Sequence, residues 1–290
     1  MNWKTLPYLS QEGINEFIEL ALKEDVGDGD HTSLASIPPG ANEMARLLCK
    51  DDGVVAGVDL AEMIFKKLDP RLNVQILKKD GSRMSKGEVI FLIDGPATSI
   101  LTGERLVLNC MQRMSAIATY THNLNRLINH TKARLLDTRK TTPGFRMMEK
   151  WAVAIGGGVN HRFGLFDMIL LKDNHVDFCG GISKAIRATK AYLKEHGKDL
   201  RIEIETRSIN EVKEVLDVGG VHRILLDNMK PEMLKEAVEL IKGRFETEAS
   251  GGITETNIKA VAETGVDYIS VGALTHSYKS LDLSLKAVGS

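Results

Sequence analysis

Several common classes are excluded by what this sequence has little of. Only three cysteines occur in 290 residues: Cys49, Cys110 and Cys179. Their odd number and wide spacing fit neither a disulfide framework nor a zinc pattern, and they predict buried free thiols in a reducing compartment. No window of about 18 apolar residues is present, which argues against a membrane-spanning helix. The first residues lack a cationic start followed by an apolar stretch, so no secretory leader is expected. Neither sign of charge is in excess. The 38 basic and 39 acidic side chains speak against nucleic acid or an anionic membrane as a main partner. The expectation is a cytoplasmic protein whose recognition rests on local charge.

Chemistry-bearing residues are densest between Arg134 and His175, in "RLLDTRKTTPGFRMMEKWAVAIGGGVNHRFGLFDMILLKDNH". Two short apolar runs, "RLLDT" and "FDMILL", read as buried strands, and each ends in positive charge: Arg139 and Lys140 after the first, Lys172 after the second. Between them Phe145, Met148, Trp151, Ala152 and Ile155 recur at helical spacing, with Pro143 where a helix can start and Gly156, Gly157 and Gly158 to stop it. The loop "VNHRFG" then brings in His161 and Arg162. A strand–helix–strand unit would gather these cations at the carboxyl end of a parallel sheet, where α/β proteins bind ligands. Any one of them could be a solvated loop residue. Together they repel, since unit charges about 4 Å apart interact by about 4 kcal/mol at an effective dielectric of about 20. A multiply anionic ligand would relieve that repulsion.

The preceding chain has a different texture. Ser10 to Glu24 reads as an amphipathic helix with Ser10 as N-cap and Ile14, Phe17, Ile18, Ala21 and Leu22 on one face. In "EDVGDGDHTS", Asp25, Asp28 and Asp30 invite comparison with a calcium loop, but spacing and the missing downstream Glu favour a structural turn at Gly27 and Gly29. From Asn42 to Asp94 short β-prone runs alternate with turn signals at Asp80-Gly81 and Lys86-Gly87, and a helix over Leu60 to Leu68 interrupts them, as in an antiparallel α+β domain. Ser99 to Ile128 reads as one long helix. Arg105 and Arg113 lie among its apolar residues, where surface snorkelling is the simplest account of both.

After Arg134, strand candidates "ARLLDT", "FDMILL", "RIEIET", "VHRILLD", "FETEAS" and "VDYISV" alternate with helices such as Ile182 to His196, Ile209 to Val218, Pro231 to Ile241 and Thr254 to Thr264. At least six β/α units favour an incomplete β/α barrel of six or seven strands behind an N-terminal α+β sandwich. The strand exits differ in character. After the cationic ones come Glu205, then Asp227 with Asn228, then Ser250-Gly251-Gly252, then Gly272. Each acid alone could be a helix N-cap. The glycine-rich exits suit phosphate, and carboxylates beside a ribose can bind hydroxyls and hold Mg2+ through water.

The strings "GERLVLN", "DTRKTTPGFRMMEKWAVAIGGGVNHRFGLFDMILLKDNH", "IEIET", "LLDNM", "EASGGI" and "GVDYISVGALTHS" closely resemble the quinolinate phosphoribosyltransferases, also called carboxylating nicotinate-nucleotide pyrophosphorylases. The likeness covers nearly the whole chain. It implies an N-terminal α+β sandwich with the linking helix (1–115), a barrel (116–275) and a C-terminal segment (276–290) returning to the first domain. It implies formation of nicotinate mononucleotide, CO2 and diphosphate from quinolinate and phosphoribosyl diphosphate with Mg2+.

Arg139, His161, Arg162 and Lys172 would bind the two carboxylates, joined by Arg105 from the neighbouring subunit of a homodimer that could assemble further into a hexamer. Thr138 and Lys140 would contact the substrates, Lys140 on the diphosphate side. Glu205 and Asp227 would serve ribose and metal; Ser250, Gly251, Gly252, Val271, Gly272 and Ala273 would line the 5′-phosphate site. Lys140, Lys172, Glu205 and Asp227 would form the catalytic set. Ala116 stands where the family usually has Gly, and Phe145 where Leu is commoner; both lie outside the charged set. Two rival expectations are a Schiff-base lyase using Lys172 or Lys140, and a repurposed relative associated with molybdenum transport.

Overall fold

The structure, a computed structural model, describes residues 6–288. The chain forms two compact units. One takes the chain up to His122 with Thr141–Gly157 and everything from Ala273; the other takes Asn123–Lys140 and Gly158–Gly272. From sequence, 1–115 goes with a returning 276–290 and 116–275 stands by itself; here Thr141–Gly157 also clusters with the first unit. The cause is the segment after Lys140, which packs on the long helix of the first unit so closely that a Cβ on Gly156 would lie 3.0 Å from the Ala118 Cα.

The chain begins with α1 (Gln11–Val26) and α2 (His31–Ser36). Ser10 caps α1, its hydroxyl oxygen accepting the Gly13 N–H at 3.0 Å, and Ile14 and Ile18 are the buried face. Asp30 caps α2 by accepting the Ser33 N–H at 3.1 Å, so the acidic run is a turn between helices. Next come β1 (Asn42–Cys49), β2 (Gly53–Val54), α3 (Val58–Leu68), β3 (Asn73–Ile76), β4 (Arg83–Met84), β5 (Val89–Pro96) and α4 (Ala97–Ile128).

The alternating series follows: β6 (Arg134–Leu136), α5 (Arg146–Ile155), β7 (Ile169–Leu171), α6 (Asp173–Cys179), α7 (Ile182–Glu195), β8 (Ile202–Thr206), α8 (Ile209–Val218), β9 (Arg223–Asp227), α9 (Pro231–Ile241), β10 (Glu246–Ser250), α10 (Ile258–Ala262) and β11 (Tyr268–Ser270). The last elements are α11 (Ala273–His276) and β12 (Leu283–Ala287).

In the first unit β12-β1-β5-β3 form an antiparallel sheet. The C-terminal β12 pairs along β1 from Ala45↔Ala287 to Cys49↔Leu283. Val107, Met111, Met114 and Ile117 of α4 are buried, as are Met148, Trp151 and Ala152 of α5. Each of the Val, Ile and Met side chains contributes about 1.5–3 kcal/mol of hydrophobic stabilisation.

The second unit holds a parallel six-stranded sheet in the order β6-β11-β10-β9-β8-β7. Among the described residues β6 and β7 do not pair, so the barrel is incomplete. A single parallel bridge, Leu136↔Val159, extends it past β6. Because all six strands run the same way, their carboxyl ends share one rim.

Three sequence expectations need correction. The helix predicted over Thr254–Thr264 is only Ile258–Ala262, because Asn257 turns the chain first, its side-chain carbonyl accepting the Thr254 N–H at 2.8 Å. Cys49 and Cys110 are buried free thiols, but Cys179 is exposed at the end of α6, a helix in which only Val176 is buried. Arg113 does not snorkel. Its guanidinium donates to the Glu149 carboxylate and the Thr142 hydroxyl and lies 4.3 Å over the Tyr278 ring. No helix among the described residues is long and apolar enough to cross a membrane.

Candidate active site

At the exit of β6 stand Asp137, fully buried, then Thr138, half-buried, then Arg139 and Lys140, both exposed. The Lys140 N–H donates to the Thr138 hydroxyl at 3.0 Å, turning the chain as it leaves the strand. Asp137 reaches sideways. One carboxylate oxygen accepts the His161 N–H at 2.8 Å and the other accepts the Asn160 side-chain amide at 2.6 Å.

His161 points inward, its side chain 7% exposed, with Nε2 at 3.1 Å from Glu203 and 3.5 Å from Glu248. Its Nδ1 accepts the Arg162 N–H at 2.7 Å. The Arg162 guanidinium donates to the Met168 carbonyl at 3.2 Å, just before β7. Burial, and then the charge of Arg139, favour its losing a proton more than usual. Arg139 and Arg162 are thus close enough to repel, and an anion between them would relieve that.

Lys172 leaves β7 as the residue before α6, its ammonium 3.9 Å from Glu205. Glu205 is buried at the end of β8. Its carboxyl is raised above the usual range, by burial first and then by Asp227, while Lys172 opposes the shift. Asp227 ends β9, and the Asn228 amide donates to its carboxylate at 2.6 Å.

Asn228 is one of two described non-glycine residues with positive φ, at 52°. Its N–H donates to the Ser250 carbonyl at 2.8 Å. Gly251 (φ 93°) follows; a Cβ there would run into the Asn228 side chain and sit 3.0 Å from its backbone nitrogen. Only glycine fits. Gly252 (φ 62°) comes next, and its carbonyl accepts the Asn257 amide at 2.8 Å. At β11 the buried Val271 donates its N–H to the Leu136 carbonyl at 3.0 Å, and Gly272 closes the exit.

The second unit therefore gathers Thr138, Arg139, Lys140, His161, Arg162, Lys172, Glu205, Asp227, Ser250, Gly251, Gly252, Val271 and Gly272 at one rim. Arg105 and Ala273 belong to the first unit, where Arg105 is exposed on α4. A groove of about 740 Å³ in that unit, between α1, α4 and the 142–148 turn, contains none of the expected ligand residues.

Sequence reasoning missed a layer of charge below this rim. Arg223 on β9 bonds Glu246 at 3.1 Å and Glu248 at 3.0 Å, and its guanidinium lies 4.2 Å over Tyr268. Glu203 is buried beside it, 3.8 Å away. Burial raises both Glu203 and Glu248, and the charge of Glu203 adds to the rise of Glu248, which reaches about 8. His161, Glu203 and Glu248 could converge on a metal, but the Arg223 guanidinium already supplies positive charge there. The alternation in "RIEIET" was the available signal: Glu203 and Glu205 lie two apart and share the inner face of β8.

Two family models match the chain: the C-terminal domain of quinolinate phosphoribosyl transferase over residues 117–286 and its N-terminal domain over residues 30–115. The decarboxylating quinolinate phosphoribosyltransferase 1 of Nicotiana glauca is 50% identical over 284 residues, covering 93% of this chain and 81% of that protein. The chloroplastic carboxylating nicotinate-nucleotide pyrophosphorylase of Arabidopsis thaliana is 49% identical over 284 residues, with coverages of 93% and 81%. The crystal structure of NadC from Streptococcus pyogenes superposes with a TM-score of 0.90 at 38% identity, covering 96% of this chain and 98% of that one. With two domain models matching 117–286 and 30–115 and half-identical relatives covered to four fifths of their length, this chain belongs to the quinolinate phosphoribosyltransferase family.

Proposed function

We propose that this chain transfers the phosphoribosyl group of phosphoribosyl diphosphate to quinolinate and releases diphosphate and CO2, forming nicotinate mononucleotide for de novo NAD synthesis. The observation that carries this reading is the rim itself: Arg139 and Arg162 crowded together at one side, Lys172 against Glu205 and Asp227 beside them. A small dianion and an activated sugar phosphate match those charges in that order.

In this reading Arg139, His161, Arg162 and Lys172 hold the two carboxylates and orient the ring nitrogen toward the anomeric carbon. As that nitrogen forms its bond to carbon, the bond to diphosphate breaks. Glu205 and Asp227 stabilise the positive charge developing on the ribose, and Thr138 and Lys140 face the departing diphosphate. Backbone N–H groups of the Ser250–Gly252 turn, with Gly272 at the neighbouring exit, line the 5′-phosphate site. The quaternised ring then accepts the electron pair of the breaking C–CO2 bond, and the ring carbon takes up a proton.

The two facing carboxylates fit Mg2+ held through water, because Glu205 and Asp227 repel each other and offer only oxygen donors. When bound there, Mg2+ would offset the charge of the diphosphate. A homodimer in which Arg105 is donated to the neighbouring subunit's site accounts for an exposed arginine on α4. Three free cysteines support a reducing compartment, which we take to be the cytoplasm.

The experiment is incubation with quinolinate, phosphoribosyl diphosphate and Mg2+, following nicotinate mononucleotide and CO2. Equimolar release of both is expected; release of neither overturns the reading.

A further inference from the structure

We propose that Asp137 is a positioning residue for the diacid: its buried carboxylate fastens the Val159–Arg162 loop to the exit of β6 and thereby sets the separation of Arg139 and Arg162. The inference deepens the function proposed above and rests on it.

The loop's side chains reach inward, the His161 ring to Glu203 and Glu248 on β8 and β10, but beyond Val159 it is Asp137 that ties the loop to β6. The loop crosses the edge where β6 and β7 leave the sheet open, and its backbone joins β6 through the single bridge at Val159. The Val159 N–H donates to the Leu135 carbonyl at 2.8 Å, and the Asp137 N–H donates to the Val159 carbonyl at 3.2 Å. Beyond that point the backbone ladder ends. The next two tethers both end on Asp137, whose two oxygens take the Asn160 amide at 2.6 Å and the His161 N–H at 2.8 Å. The loop then passes directly to Arg162, whose N–H is held by the His161 ring at 2.7 Å. Asp137 itself stands two residues before Arg139. One fully buried side chain thus joins the two segments that carry the opposed guanidiniums.

An asparagine at 137 can still accept from His161, but its amide would face the amide of Asn160, donor against donor. The loop should shift and the spacing of the two cations with it. The ribose-facing Glu205 and Asp227, on β8 and β9, and the Ser250–Gly252 turn after β10 do not pass through this clamp, and Thr138 and Lys140 stay at the exit of β6 whatever the loop does. Loss of Asp137 should therefore fall on the diacid more than on the other substrate.

The test compares wild type, D137N, N160A and the reciprocal D137N/N160D in steady-state kinetics with both substrates varied, alongside melting temperature. D137N is expected to raise KM for quinolinate about tenfold and to leave KM for phosphoribosyl diphosphate within about twofold. N160A should show a smaller shift in the same direction. In D137N/N160D the donor and acceptor are exchanged and the bond reforms, so KM for quinolinate should return to within about threefold of wild type.

The proposal is overturned if D137N leaves both constants unchanged, or if both rise together and the reciprocal variant recovers neither. Should D137N fail to fold, N160A and D137N/N160D decide by the same split. A wild-type chain that does not turn over quinolinate sinks the underlying function; an active wild type with no split among the variants sinks this inference alone.

Discussion

Arg223 and Glu248 face each other at 3.0 Å inside the barrel, with 8% and 1% of their side chains exposed. The pair lies one layer below the candidate site, and Glu203 and Glu246 complete it. Removing the guanidinium would take the arginine from the buried Glu203 and Glu248, while Glu246 keeps Arg201 at 2.6 Å. Arg223→Met is expected to cost about 3–5 kcal/mol of stability, measured by urea denaturation at neutral pH.

Glu248 also makes stability depend on pH. Its carboxyl is raised to about 8 by burial, and by Glu203 beside it, whereas in the unfolded chain it titrates near the ordinary value. The folded state therefore binds more protons between those limits. The contribution of this group is full below the unfolded value and is lost as pH rises through about 8. Melting temperature should fall from pH 6 to pH 9, and Glu248→Gln should flatten that fall. An equally steep fall in the variant would count against the assignment.

Gly251 has no room for a side chain. Its φ of 93° and the Asn228 backbone nitrogen 3.0 Å from any Cβ both oppose substitution. Gly251→Ala is expected to cost about 1–3 kcal/mol in stability. It should raise KM for phosphoribosyl diphosphate more than KM for quinolinate, read in one two-substrate experiment.

Nicotinate lacks the second carboxylate, and its binding would leave a partly buried cation unpaired. Its kcat/KM is expected to fall below that of quinolinate by about 10- to 100-fold or more, the worth of about 1–3 kcal/mol. Side-by-side product assays check this.

Arg105→Ala and Lys172→Ala are each expected to be inactive, yet a mixture should regain activity if the site is shared across a twofold axis. A hybrid dimer carries one intact site, so statistical reassortment gives about a quarter of wild-type turnover. No recovery after verified subunit exchange would remove Arg105 from the neighbouring site.

Much of this could be read from the sequence because local signals agreed with the tertiary ones. The helices at Ile209–Val218 and Pro231–Ile241 are read at their observed bounds: Ser208 caps the first with its hydroxyl, and Pro231 opens the second where its missing N–H costs nothing. The cationic exits were visible because each follows a short apolar strand.

What stayed hidden depends on pairing at a distance. Arg113 reads as a surface cation until Glu149, 36 residues away, meets it in the interior. Glu203, Arg223 and Glu248 sit on three different strands and acquire meaning only when the parallel register sets them side by side. Asp137 looks like part of the "DTRK" charge run, although it alone of those residues is sealed from water.

The pairing of β12 with β1 has a consequence for biosynthesis. Until β12 has left the ribosome, the outer edge of β1 offers unsatisfied amides and carbonyls to any other nascent strand. The sheet around β1 must wait for a strand made more than two hundred residues later. Deleting Leu283–Ala287 should therefore yield chains that aggregate during expression.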